Sequence, residues 1–490
     1  MSNGFIRYVR RNDTEYASVY KARRDNGKKV NDIEWLGKVI DKENGIYQSR
    51  ERGIFRFSLE SGTVEYLPST HEKLILDFGD SYFLSEMLAQ CGFISLIKRV
   101  FFDMADSILS LVFYKSLHGG ANCYAQTWWE GSYTRILFPY AQITSQRISE
   151  VLSELGDEQL QRDFFRDYLQ YISSKCNGGV LIDSTGLPND IHFPLAAINN
   201  HNGVISNETR LILVLDKLNG LPIYFRYAAG NIVDVTTLKT TVAEMQTYGI
   251  NVHHAIIDAG YFSEKNIQAL QKSKISFVIR MSTNRKLYKE LIAQHSVDLE
   301  NAKYLVKYRD RFVYIKCVKV DLFGKAGYAY VALDIDRKHD EIKKYMRTSF
   351  DNNDISVDDM NAAIQSKGLF VLISSEEIGT HEILPLYYTR QAIEQVFDFS
   401  KNNADLLPLR VHSIEGFRGH LLISFLASVG YILVNNMLKG SDFCALGSYH
   451  VLRNLKCKVY DKKIIVQEAN KKMNVIAKHV KMLLPFMVDL

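Results

Sequence analysis

The chain has 490 residues, 47% hydrophobic and 23% charged, with 28 Tyr and 26 Phe, a globular composition too long for one ordinary core, so two to four domains are expected. The longest apolar run, Leu421–Val434, falls short of the roughly 18 residues of a membrane span and suits a buried helix. The amino terminus lacks the features of a secretory signal, and six scattered cysteines without a CxxC pair argue for reduced thiols in a cytoplasmic protein and against structural zinc. The net charge of +5 permits a nucleic-acid partner without requiring one. Residues 1–60 carry 13 basic side chains against 9 acidic, and residues 451–490 carry 9 against 3; both ends suit phosphate, and equally an ordinary lysine-rich surface.

Residues 1–67 read as a small basic β module: strands at Tyr16–Lys21, Ile33–Ile40 and Ile54–Leu59, turns at Asp25-Asn26-Gly27 and Asn44-Gly45, and an end near Pro68. Basic residues interleaved with Tyr16, Tyr20, Trp35 and Tyr47 suit a DNA grip, and a plain β module nearly as well. Residues 68–177 turn helical, with segments Phe83–Ala89, Phe93–Leu117, Ser145–Leu155 and Glu158–Ile172, Ser145 and Asp157 as N-caps, and Trp128-Trp129 in a loop. The segment Ile143–Leu155 fits a bundle helix better than the exposed helix of a DNA-binding unit.

From 178 to 282 the order is strand, hairpin, helix, strand, helix, strand, a mixed α/β pattern. The run VLID ends in Asp183 and AIID in Asp258, each followed by a small-residue turn. Carboxylates at the carboxyl ends of neighbouring strands converge where sites in α/β folds collect, although a turn-starting or capping aspartate is the ordinary role for one alone. Residues 283–376 hold alternating strands near Tyr304–Val306, Phe312–Val320 and Tyr328–Ile335, a charged helix at Arg337–Thr348 and a strand at Leu369–Ser374, with Lys303, Lys307, Arg309, Arg311, Lys316 and Lys319 suiting either a DNA-facing sheet or an ordinary exposed one.

Residues 377–438 contain the stretch YYTRQAIEQVFDFSK, Tyr387 to Lys401. On a helical wheel at about 100° per residue, Tyr387, Arg390, Glu394 and Lys401 share one stripe, while Ala392, Ile393, Val396 and Phe399 form a buried face. Arg and Lys neutralise phosphate charge, and a carboxylate holds a divalent metal; an exposed face with an Arg390–Glu394 pair explains the same stripe. If Glu394 joined Asp183 and Asp258, three carboxylates would need a cation, and oxygen ligands point to Mg²⁺ or Mn²⁺. An apolar helix follows within Leu407–Met437, and 439–490 read as a basic helical carboxyl-terminal region. His253-His254 reads as strand-entry polarity. No phosphate loop for ATP, nucleophile elbow or zinc pattern is present in the sequence.

The spacing Tyr387-x2-Arg390-x3-Glu394-x6-Lys401, with VLIDSTG and IIDAGYFS upstream, resembles the DDE transposases of bacterial insertion sequences, the insertion-sequence-four type with its Tyr-Arg-Glu-Lys (YREK) signature, over residues 178–435. The resemblance implies an RNase H-like, retroviral-integrase-like catalytic core interrupted by a β-rich insertion. It implies Asp183, Asp258 and Glu394 as catalytic and metal-binding residues for two Mg²⁺ or Mn²⁺ ions, with Asp398 as the fallback for Glu394. Tyr387, Arg390 and Lys401, with Arg280, would contact DNA. It further implies a homodimer on paired element ends and target DNA in a bacterial or archaeal cytoplasm, at the nucleoid, with neither ATP nor membrane. The insertion lacks Trp, which leaves Tyr or Phe to wedge against any flipped base.

Overall fold

A computed structural model describes residues 4–11, 14–25, 28–49, 53–66, 74–176, 178–189, 195–201, 204–231, 234–349 and 356–490. The turn expected at Asn26-Gly27 and the boundary expected at Pro68 fall outside them. The chain forms two compact units, one of Met1–Gly79 with Val451–Leu490, the other of Asp80–His450.

The first unit holds a six-stranded antiparallel meander, Gly4–Arg11, Thr14–Asp25, Lys28–Asp41, Ile46–Ser49, Gly53–Phe57 and Val64–Tyr66. Alternation sends Ala17, Val19, Leu36, Tyr47, Phe55 and Phe57 into one buried cluster. The expected Asn44-Gly45 turn is present: Gly45 has φ +63°, and the Asp41 carboxylate accepts from the Glu43 and Asn44 backbone amides, both at 3.1 Å. The strand Gly4–Arg11 escapes sequence reading because three arginines mask its alternation. The same unit has a four-stranded sheet in which Leu74–Asp77 pairs with Lys456–Val459, followed by Lys463–Val466 and Met487–Asp489. The carboxyl-terminal region is therefore mixed, with helices at Ala445–Leu452 and Lys471–His479 as well as these strands, rather than purely helical.

The second unit is built on a ten-stranded sheet. Five of its strands, Gly179–Pro188, Val204–Asp216, Pro222–Ala229, His254–Ile257 and Ser276–Arg280, lie in the order third, second, first, fourth, fifth. The first three pair antiparallel, and the fourth and fifth run parallel to the first. This arrangement fits the RNase H-like core. Val180–Ile182, Ala255–Ile257 and Phe277–Ile279 are wholly buried, as parallel strands covered on both faces must be. The strands Leu305–Tyr308, Arg311–Asp321, Ala326–Asp334 and Leu369–Ser374 extend this same sheet, because Leu369–Ser374 pairs with Ser276–Arg280.

Two helices cover the strand Pro222–Ala229. Phe165 of Glu158–Ile172 and Phe425 of Ile414–Met437 pack around Phe225, with ring centroids 5.3–5.7 Å apart. The helix Ile414–Met437 is long and apolar enough to cross a membrane, yet 89% of its apolar window is buried inside the protein. It packs on Ser145–Leu155, which is a bundle helix with Ile148, Val151, Leu152 and Leu155 inward. That helix is capped by Thr144, not Ser145, whereas Asp157 caps its own helix as expected. Trp128 and Trp129 lie in a short helix, Ala125–Glu130, rather than a loop. The expected helix Phe93–Leu117 is two, Phe93–Val100 and Ala105–Leu117, separated by a tighter turn.

Candidate active site

Parallel pairing brings Ile182 opposite Ile257, so the next residues, Asp183 and Asp258, emerge side by side where that parallel pairing stops. Asp258 leaves its strand into a turn, Ala259–Tyr261. The strand containing Asp183 does not end there: its parallel partner stops, but antiparallel pairing with Val204–Asp216 carries it on to Pro188. The turn expected after Asp183 is thus strand.

Arg390 joins the two aspartates. Its Nη2 lies 2.7 Å from Asp183 Oδ2, and its Nη1 lies 3.0 Å from Asp258 Oδ1. Nη1 also donates to Tyr387 Oη at 3.2 Å, and that hydroxyl donates to Asp258 Oδ1 at 3.4 Å. The Asp183 and Arg390 side chains are 14% and 13% exposed, while Asp258, at 39%, faces solvent. Burial raises the Asp183 pKa above the usual carboxylate value, outweighing the opposing pull of Arg390. Burial also opposes the charge on Arg390, but Tyr387, Asp183 and Asp258 overcome it and raise its pKa. Burial pushes the Tyr387 hydroxyl up to about 12, so it stays a hydrogen-bond donor.

The signature segment is not one helix. It runs as Ile383–Tyr388, a break at Thr389-Arg390, then Gln391–Asp398 and a wide π-type turn over Phe399–Asn403. The break turns Tyr387 and Arg390 inward instead of along an exposed stripe. Ile393, Val396 and Phe399 are buried as the wheel requires. Lys401 donates from Nζ to Thr185 Oγ1 at 2.6 Å and to the Gly186 carbonyl at 3.0 Å, three residues beyond Asp183. Burial lowers its pKa, and Glu208 partly offsets this. Glu394 stands exposed one turn after Arg390. Among the described residues, no three His, Cys, Asp or Glu side chains gather into a group able to hold a metal ion; the guanidinium supplies the countercharge to the two aspartates, and Glu394 does not join them. Asp398 is also exposed and accepts from Asn402 Nδ2 at 2.6 Å. Arg280 ends the strand beside that of Asp258, with its guanidinium 5.5 Å from the Phe370 ring, and its charge reaches Tyr387.

Sequence reading missed two groups here. Glu208 and Arg210 are buried on the strand beside Asp183, 3.6 Å apart, and Arg210 Nη1 lies 3.3 Å from Ser184 Oγ. A Cβ on Gly186 would meet the tip of the Glu208 side chain, so a larger residue there would displace that carboxylate. The available signal was an acid and a base two residues apart at the head of the apolar run Leu211–Leu215. His254 is strand-entry polarity, its Nδ1 2.9 Å from Ser276 Oγ.

Residues 175–429, more than half of the chain, match the family model described as "Transposase DDE domain". The chain belongs to the DDE transposase family. Among solved structures, this transposase is similar to a piggyBac transposase in a synaptic complex with hairpin DNA. The two are 12% identical, with a TM-score of 0.39 over 71% of this chain and 70% of that one. No curated protein matches the chain in sequence. The family match spans both aspartates, the Tyr387–Lys401 segment and most of the helix Ile414–Met437.

Proposed function

We propose that this transposase binds the terminal inverted repeats of a bacterial or archaeal insertion sequence, cleaves at the element ends and joins the freed 3′-hydroxyls to target DNA. The carrying observation is the pair Asp183 and Asp258, side by side where their two strands part and sharing one cation at 2.7 and 3.0 Å. Their fit to a divalent metal rests on that pair: all-oxygen donors that already accept a positive group between them suit Mg²⁺ or Mn²⁺. Asp183 and Asp258 would hold the metal; Glu394, which stands exposed apart from this pair, would be the third ligand only on joining them. Such a centre lowers the pKa of an attacking oxygen and neutralises charge on a departing one.

The chain's own side chains hold the backbone. Arg390, once it faces a phosphate, matches two of its oxygens with a planar fork, and Lys401 adds a point charge on the same side. Tyr387 positions Arg390 through its hydroxyl and donates no proton to the reaction, because burial keeps it protonated. Two ends must be cut and joined together, which calls for a homodimer.

The test is nicking and strand transfer on supercoiled DNA carrying the element ends, in Mg²⁺ and in EDTA. Asp183→Asn and Asp258→Asn should each lower cleavage at least about 100-fold while end binding persists, and Glu394→Gln should do the same. Cleavage by Asp183→Asn at the wild-type rate would overturn the assignment. End binding without nicking by the wild type would mark a catalytically silent descendant, and nicking without joining a nuclease.

A further inference from the structure

The six-stranded sheet of the first unit has two unlike faces. One buries the cluster around Val19, Leu36 and Phe55. On the other, Phe5 and Tyr20 are cross-strand partners with stacked rings 5.4 Å apart, and Tyr16 stacks on Trp35 at 5.8 Å. Phe5 is 56% exposed, Ile33 60% and Trp35 53%. An apolar patch of this kind, built from rings on a soluble surface, marks a binding face. Arg7 stands over the Tyr20 ring at 5.8 Å.

Charge is sorted between the faces. Across the first three strands, the described charged side chains on the aromatic face are Arg7, Arg11 and Lys38, by register with Ser18, Thr14 and Tyr16, and Asp41 at the end of the third strand, by register with Ile46, whose carboxylate is taken up by the Glu43 and Asn44 amides. Glu15 and Glu34 lie on the opposite parity, where they pair with Lys42 and Lys21. Rings with three cations, and an acid only at the turn end of the third strand, fit a polyanion that offers flat apolar faces. Six strands about 4.8 Å apart make a surface roughly 24 Å wide, too broad for the roughly 12 Å major groove of a duplex. Unpaired bases, by contrast, lie on such a surface, and Phe5 on the edge strand leaves one end of its stack open.

We infer that this sheet face binds single-stranded DNA by stacking unpaired bases on Phe5–Tyr20 and Trp35–Tyr16 while Arg7 and Lys38 contact the backbone. The choice of DNA over RNA rests on the transposase reading; the stacking does not.

Binding is measured on the full chain in EDTA, so that the outcome is independent of cleavage. The probes are fluorescein-labelled oligo-dT of about 20 nucleotides, longer than the roughly 4–16 that such surfaces cover, and a duplex of equal length. Phe5→Ala and Trp35→Ala should each weaken oligo-dT binding roughly 5- to 100-fold, with duplex binding changed less than about 2-fold. Trp35→Phe should bind as wild type. Arg7→Ala should reduce the slope of log affinity against log salt by about 0.7. Asp183→Ala should bind oligo-dT normally, which separates this face from the catalytic reading. Unchanged oligo-dT affinity in the Phe5→Ala, Trp35→Ala double variant, with an unaltered circular dichroism spectrum, overturns the inference. So does a dimer without DNA, in sedimentation velocity, that Trp35→Ala converts to monomer, because the face would then be covered by a second copy. Tighter binding of oligo-rU than oligo-dT overturns the choice of DNA.

Discussion

At the scale of single residues, the arrangement turns on what neutralises Asp183 and Asp258. Two carboxylates side by side on neighbouring strands repel, and burial of Asp183 adds a desolvation cost. Arg390 offsets both with two short ion pairs from one guanidinium. Replacing it with glutamine keeps approximate size and removes the charge, so the carboxylates face each other uncompensated. Arg390→Gln should therefore destabilise the second unit in EDTA by on the order of 3 kcal/mol, the usual cost of breaking a buried pair from one side. A divalent ion binding the same oxygens should recover part of that, so Mg²⁺ should raise the thermal midpoint more in the variant than in the wild type. Equal midpoints in EDTA would show that the guanidinium contributes nothing to stability there.

At the scale of elements, helix contacts are set by residues whose spacing carries no hydrophobic signal. The helices Ser145–Leu155 and Ile414–Met437 approach so closely that a Cβ on Gly419 would collide with the Leu152 carbonyl oxygen, and one on Gly156 with that of Glu415. Backbone atoms in helices cannot yield as a side-chain tip can. Gly419→Ala should cost about 1–3 kcal/mol, read as a lower urea midpoint for the second unit, whereas Gly440→Ala, in open space, should cost only what its φ of +83° imposes. The same distinction explains what could be read in the sequence. Continuous apolar runs ending in Asp183 and Asp258 are local, and they located both strands and both carboxylates. The continuation of the first strand to Pro188 depends on pairing with residues 208–216, far along the chain, so it had no local signal. The wheel failed from Tyr387 to Lys401 because a fixed 100° step assumes an unbroken helix. A break before Arg390 and a π-type turn at Lys401 re-aim both cations toward the strand of Asp183.

At the scale of the whole molecule, the second unit buries two imidazoles that must stay neutral. His420 is fully enclosed, with its Nε2 3.3 Å from the Leu406 carbonyl; burial and then the Lys115 charge push its pKa down to about 4. Lys115 is itself buried against Asp405 at 3.0 Å. His254 is held at about 4 by burial and by Lys217. In the unfolded chain both would take a proton near pH 6.5. A folded pKa below the unfolded one means that the unfolded state binds more protons between these values, so stability falls as pH drops from about 6.5 to about 4. For His420 the loss amounts to roughly 3.4 kcal/mol, from about 2.5 pH units at 1.36 kcal/mol each. Asp183 acts the other way: its raised pKa makes its ionised form costly, and that cost is relieved as the carboxyl protonates. A Trp35→Phe background leaves Trp128 and Trp129 to report on the second unit alone, since Trp35 belongs to the first. In that background, urea midpoints from pH 7 to pH 4.5 should fall steeply, and His254→Gln with His420→Gln should flatten the fall while lowering the midpoint at pH 7 by a smaller amount. An undiminished slope in the double variant would mean that carboxylates, not these imidazoles, set the acid limit of the fold.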